Sequence, residues 1–220
     1  MARGYPDYQS SREPSIAYQT VWMDDFEAPG LKWLRGIAGG GTLPVLSVAQ
    51  SWKGLQSAYL VVGAAAADIS RILKYFPLLS LGRIGIELFT FLSNVAGAYL
   101  RLYLVIYDGT NISAAELHLD QNARTATIIT PAGPIVVATF AFPLVAFNMF
   151  VPVKLVVDMN TDRYVSLLIG PDAVDLSTHL LVAGPASNQK LLEVNIELVG
   201  AAPGGSTAYV DDFILSQNEP

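Results

Sequence analysis

Cysteine is absent from the 220 residues, so disulfides and thiolate metal sites are excluded and nothing marks a redox compartment. Charge is scarce: 15% of residues are Asp, Glu, Lys or Arg, against about 25% in an ordinary soluble domain. The 13 basic residues are scattered and the net charge is -6, which argues against a nucleic-acid partner, because phosphate neutralisation needs clustered cations. The one stretch without formal charge, 126–153, is interrupted by Pro131, Pro134, Pro143 and Pro152. Each would kink a spanning helix, so the stretch reads as buried strands and turns, not as a membrane segment. The first residues lack the apolar run of a secretory signal. The expected location is therefore a virion or cytoplasmic assembly, and extracellular only if a leader has been trimmed away.

What is present in excess is apolar surface, 52% of the residues. So little charge to coat so much apolar material predicts that partners cover part of the exterior. Residues 1–18 are polar and aperiodic and read as an extended arm, 19–217 as a single domain and 218–220 as a tail. Within the domain, short apolar or alternating runs recur between turn signals. They are 20–27, 42–50, 57–64, 83–92, 99–107, 113–119, 124–130, 135–140, 151–158, 164–169, 191–199 and 208–216. Breakers such as Gly39-Gly40-Gly41, Gly133-Pro134 and Gly170-Pro171 separate them, and Asp108-Gly109 between two alternating runs predicts a hairpin. This rhythm predicts an all-β fold, a two-sheet antiparallel jelly-roll sandwich. At most one short helix is expected, at 65–75, where Ile69, Ile72, Leu73 and Phe76 have helical spacing.

No residue constellation forms an enzyme signature. Glu116, His118 and Asp120 alternate on one strand face, a row that could serve a metal or proton transfer. An amphipathic strand with Leu117 and Leu119 inward accounts for the same pattern. Glu193, Asn195 and Glu197 form a second row, but its two acids are roughly 13 Å apart along a strand, too far for glycosidase chemistry as a pair. Asp158, Asn160 and Asp162 begin like a calcium loop, yet Arg163 stands where glycine is required, so a hairpin turn is expected. His179 has no evident partner, and no nucleophile elbow or phosphate-cradling glycine motif occurs.

Three segments carry a resemblance. Trp22-Met23-Asp24-Asp25-Phe26-Glu27 followed by Trp33 resembles the opening strand of carbohydrate-binding-module-like jelly rolls, and Tyr209-Val210-Asp211-Asp212-Phe213-Ile214-Leu215 their closing strand. The stretch from Lys154 to Tyr164 is similar to a hairpin of concanavalin-like and laminin-G-like sandwiches. The resemblance implies one structural Ca²⁺ held between first and last strands by Asp25, Glu27 and Asp212. Ca²⁺ wants six to eight oxygens, and clustered carboxylates without a cation would repel.

Two functions follow. The first is a non-catalytic structural protein that self-associates through apolar surface and its arm, as in a virion or another homomeric assembly. The alternative is a carbohydrate-binding module in which Trp22, Trp33 and Trp52, with Tyr99, Tyr103 and Tyr107, offer flat rings to sugars. The even spacing of the tyrosines also fits a core strand. A glycoside hydrolase is the distant third reading.

Overall fold

The computed structural model describes residues 19–78, 82–93, 98–120, 123–139, 150–201 and 204–220; the expected arm lies outside them. The chain runs β1 (Gln19–Asp24), β2 (Leu34–Ala38), β3 (Thr42–Ser47), β4 (Ser57–Val62), β5 (Ile69–Pro77) and β6 (Arg83–Ser93). It continues with β7 (Tyr99–Asp108), β8 (Ile112–Asp120), β9 (Thr125–Thr130), β10 (Gly133–Thr139) and β11 (Val151–Asp158). The last strands are β12 (Arg163–Ile169), β13 (Asp172–Asp175), β14 (Val182–Gly184), β15 (Lys190–Val199) and β16 (Ser206–Gln217). No helix occurs among the described residues.

Two antiparallel sheets result. The first has the order β13-β12-β11-β6-β16-β4-β3, with β1 also on β16. The second has the order β10-β9-β8-β7-β15-β5-β2, with β14 also on β8. Alternate residues of facing strands meet between the layers: Leu100, Leu102, Leu104, Leu192, Val194 and Ile196 from one side, Ile84, Ile86, Leu88, Leu155 and Val157 from the other. This two-layer core is what the alternating runs demand, since each strand has one apolar face to remove from water.

Asp108-Gly109 turns the β7–β8 hairpin: Gly109 has φ +94°, and Asp108 Oδ1 accepts the amides of Thr110 and Asn111 at 2.7 and 2.6 Å. Asp158 likewise accepts the Asn160 amide at 2.8 Å in the turn between β11 and β12, so that stretch is a turn, as expected. The helix expected at 65–75 is instead strand β5, paired on both sides, with β15 and β2. Ile72 and Phe76 point inward and Leu73 outward, a period of two that the helical spacing of four apolar residues concealed. Pairing with two neighbours outweighs a local pattern in so short a segment.

Two strands change partners midway, and a buried polar group occupies each junction. β16 pairs with β4 up to Val210 and with β1 from Phe213. At the bulge between, Asp212 has φ +47° and the Asp211 carboxylate accepts the amides of Trp52, Lys53 and Asp212. On the second sheet, β8 pairs with β14 at 112–114 and with β9 at 117–120. Tyr164, fully buried on β12 of the opposite sheet, fills that gap. Its hydroxyl accepts the Glu116 amide at 2.9 Å and donates to the Ile129 carbonyl at 2.8 Å. Burial pushes this phenol far above its ordinary range, so it stays a donor.

Candidate functional site

The tryptophans separate. Trp33 is buried: its indole N–H donates to Asp24 Oδ2 at 3.1 Å, and its ring stacks near Phe26 and stands edge-on to Phe213 and Trp22. Trp22 closes the same cluster against Phe76 and Phe213, with Lys74 Nζ 4.2 Å above its ring. These two rings belong to the core of the sandwich. Trp52 differs. It is 39% exposed and lies flat on Phe89, ring centroids 4.6 Å apart, on the outer face of the first sheet.

Asp25, Glu27 and Asp212 come into electrostatic reach of one another: burial raises the Asp212 pKa, Lys53 opposes this, and Asp25 and Glu27 add to it. Their oxygens are partly taken. Asp25 Oδ1 accepts the Glu27 amide at 3.1 Å, and Glu27 Oε1 accepts the amides of Leu55 and Gln56 at 2.8 and 3.0 Å, holding the 51–56 loop. Among the described residues no three acids or imidazoles are placed to hold a metal together. The Lys53 ammonium supplies positive charge to Asp212.

Next to this corner, burial lifts the Asp211 carboxyl to about 6 against the pull of three amides, with Asp212 adding to the rise. The native state then keeps a proton that the unfolded chain gives up near pH 4, so this group's contribution to stability falls as pH rises from about 4 to about 6. Melting temperature followed across that window is expected to show the fall, and Asp211→Asn to reduce it.

A polar assembly lies on the outer face of the second sheet. β7 turns Tyr99, Arg101, Tyr103 and Tyr107 outward, because Leu100, Leu102, Leu104 and Ile106 occupy the core. By register, Arg101 lies between Glu197 and His118, and Tyr103 between Asn195 and Glu116. β5 contributes Arg71 opposite Glu197 and Tyr75 opposite Glu193. Asn195 and Glu197 on β15, in the interior of this sheet, are each 2% exposed, whereas Tyr75 and Val136 on strands to either side are 51% and 58% exposed.

The charges here are locked together. The Arg101 Nε and Nη2 both donate to Glu197 Oε2, the former at 2.8 Å, and Nη1 donates to Glu116 Oε1 at 3.3 Å. Arg71 Nη1 is 3.7 Å from the other Glu197 oxygen. His118 Nε2 is 2.6 Å from Glu116 Oε1, and the imidazole stacks on Tyr99 at 4.3 Å. Burial alone would raise the Glu116 pKa, but His118 and Arg101 outweigh it and hold the carboxyl below its ordinary value. Glu193 accepts from the Asn195 amide NH₂ at 2.8 Å and from the Tyr107 hydroxyl at 3.4 Å. Burial, reinforced by the neighbouring glutamates, raises Tyr99, Tyr103 and Tyr107, which therefore remain neutral donors.

Both strand rows read from the sequence thus fall on one face, and the tyrosines belong to it and not to the core. Arg101 and Arg71 went unnoticed. Arg101 alternates with Tyr99 and Tyr103, the signal that could have found it, and the helical reading of 65–75 concealed Arg71. Gly36 on β2 makes room for Arg71: a Cβ there would sit 2.5 Å from Arg71 Nε.

No family model matches the chain, and neither does any curated protein. Solved structures do match. An endo-β-1,4-glucuronan lyase from the fungus Trichoderma reesei superposes with TM-score 0.63 at 11% identity, over 90% of this chain and 96% of that one. The fold is a concanavalin-like jelly roll. A sialidase gives TM-score 0.61 at 8% identity over 92% of this chain, which spans only 19% of the sialidase's length. The carbohydrate recognition domain of Emp47p gives 0.55 at 9% identity, over 95% of this chain and all of that domain. The jelly-roll fold is thus shared by glycan-cleaving and by glycan-recognising proteins.

Proposed function

We propose that this domain recognises a glycan on the outer face of its second sheet, without cleaving it. The observation that supports this is the juxtaposition of Tyr99, Tyr103 and Tyr107 with the Glu193, Asn195, Glu197 row on one sheet face. Aromatic rings pack on the C–H faces of sugars while fixed polar groups read the hydroxyls. The likeness to a carbohydrate recognition domain agrees with it.

The non-catalytic part rests on the acids. Glycoside hydrolysis needs one carboxyl that gives up a proton and a second that attacks or activates water. Glu197 has both oxygens on arginines, Glu193 has both oxygens hydrogen-bonded, and Glu116 is held ionised by His118 and Arg101. Tyr103→Ala is expected to weaken glycan binding about tenfold or more, with the fold retained. Calorimetry against glycans found on an array checks this, and an array without a single hit overturns the reading.

Self-association keeps one observation in its favour. Leu34, Ile37, Leu43, Val45, Val48 and Leu55 stand exposed on and beside the edge strands β2 and β3. Light scattering giving a 23.6 kDa particle at micromolar concentration would remove it. Nothing in the comparisons supports a virion role. A Ca²⁺ at Asp25, Glu27 and Asp212 would need most of its oxygens from the backbone, and a melting temperature that rises with Ca²⁺ in the wild type but not in Asp212→Asn is its test.

A further inference from the structure

We infer that the cleft between residues 31–34 and β5 receives an acidic substituent of the glycan, a carboxylate or a sulfate ester, on the Lys74 ammonium. This rests on the glycan reading and adds the ligand's chemistry to it.

The cleft adjoins the polar face. Its volume is about 460 Å³, and it is lined by Lys32, Trp33 and Leu34 from one segment and by Leu73, Lys74 and Tyr75 from β5. That size suits a small ligand. Leu73 is paired with Asn195, which is paired in turn with Tyr103, and Tyr75 is paired with Glu193. A saccharide that extends from Tyr103 towards β2 therefore reaches the cleft. There the Tyr75 ring, 51% exposed, and Leu34, 58% exposed, are open to its C–H faces.

Lys74 breaks the pattern of its strand. Ile72 and Phe76, two positions away on either side, are buried, and the alternation of β5 calls for a third apolar side chain between them. An ammonium stands there instead. Its Nζ donates to the Lys32 carbonyl at 3.0 Å and lies 4.2 Å above the Trp22 ring. Among the described residues no carboxylate is in ion-pair contact with it. Asp24 acts on it from a distance, but its oxygens already accept the Phe26 amide, the Lys32 ammonium and the Trp33 indole. Burial lowers the Lys74 pKa; Asp24 opposes this and Lys32 adds to it. An anion in the cleft supplies the missing counter-charge through charge-assisted hydrogen bonds. Glu193 is the acid of the polar face opposite Tyr75, and it is held by Asn195 and Tyr107. It stands on β15, whereas the 31–34 segment leads into β2 on the other side of β5. The acidic group is therefore directed towards residues 31–34 and the uncharged rings towards Tyr103.

Titration calorimetry tests this with a neutral oligosaccharide, an oligouronate and a sulfated oligosaccharide of one length. The wild type is expected to bind one of the acidic ligands about tenfold more tightly than the neutral one, a preference that shrinks at high salt. Which acid gains identifies the substituent. Lys74→Met keeps the apolar stem over Trp22 and is expected to lose the preference while retaining neutral binding, and Lys74→Arg to keep it. Neutral binding as tight as acidic binding overturns the inference and leaves the glycan reading intact. So does a preference that persists in Lys74→Met, or inorganic sulfate bound as tightly as the acidic saccharides. Should Lys74→Met not fold, amide spectra of the wild type decide: the acidic ligand is expected to shift Leu34, Leu73 and Tyr75, and unmoved resonances there overturn the inference. If none of the three saccharides binds, the glycan reading itself falls, and this inference with it.

Discussion

Trp33→Ala is expected to lower the unfolding free energy by about 3–5 kcal/mol, a loss read from urea denaturation and not from glycan affinity. The indole is 4% exposed and meets Phe26, Phe213 and Trp22, so truncation opens a large void among aromatic rings. It also removes the donor to Asp24 Oδ2, leaving that oxygen of a carboxylate that is itself 2% exposed without the indole. Asp24 holds the Phe26 amide and Lys32 Nζ as well, so the connection from β1 to β2 should loosen with it. A ring that served as a sugar platform would behave in the opposite way, losing affinity at constant stability. Trp33→Phe should recover much of the stability by refilling volume, though not the hydrogen bond.

Glu197→Gln should cost about 2–3 kcal/mol. Removing one partner of a buried ion pair typically costs more than that, but Arg101 keeps Glu116 and is partly open to water, which lowers the figure. The amide can accept from one arginine yet cannot neutralise both Arg101 and Arg71. A double-mutant cycle with Arg101→Met isolates the coupling: the double variant should be more stable than the sum of the two losses predicts. The same substitution tests the electrostatics of the face. With Glu197 neutral, the two arginines face the two remaining glutamates, Glu116 and Glu193, so the excess of one carboxylate on this face is removed.

The sandwich was legible because its strands alternate. Leu100-Arg101-Leu102-Tyr103-Leu104 and Val194-Asn195-Ile196-Glu197-Leu198 declare which residues face inward whatever their neighbours are. Each of the twelve runs became a strand within a few residues of its expected bounds. The strands that escaped are short or ambiguous: β2, with glycine at its centre, β13 and β14, of four and three residues, and β5, whose apolar spacing imitates a helix. Site residues were read less well, for a different reason. Trp22 and Trp33 attracted attention as large rings, yet ring size does not distinguish a platform from a core. Glu116 and Glu197 were visible as separate rows. That one arginine binds both depends on β7 lying between β8 and β15, a matter of strand order that no local pattern encodes.

Tyr164 gives the polar face a hidden dependence. One rung of the second sheet is supplied by a side chain anchored in the first, so the layers cannot slip sideways past each other without stranding the Glu116 amide and the Ile129 carbonyl. The height at which Glu116 meets Arg101 and His118 is thereby set from behind, across the greasy interior, by a residue no ligand could ever touch.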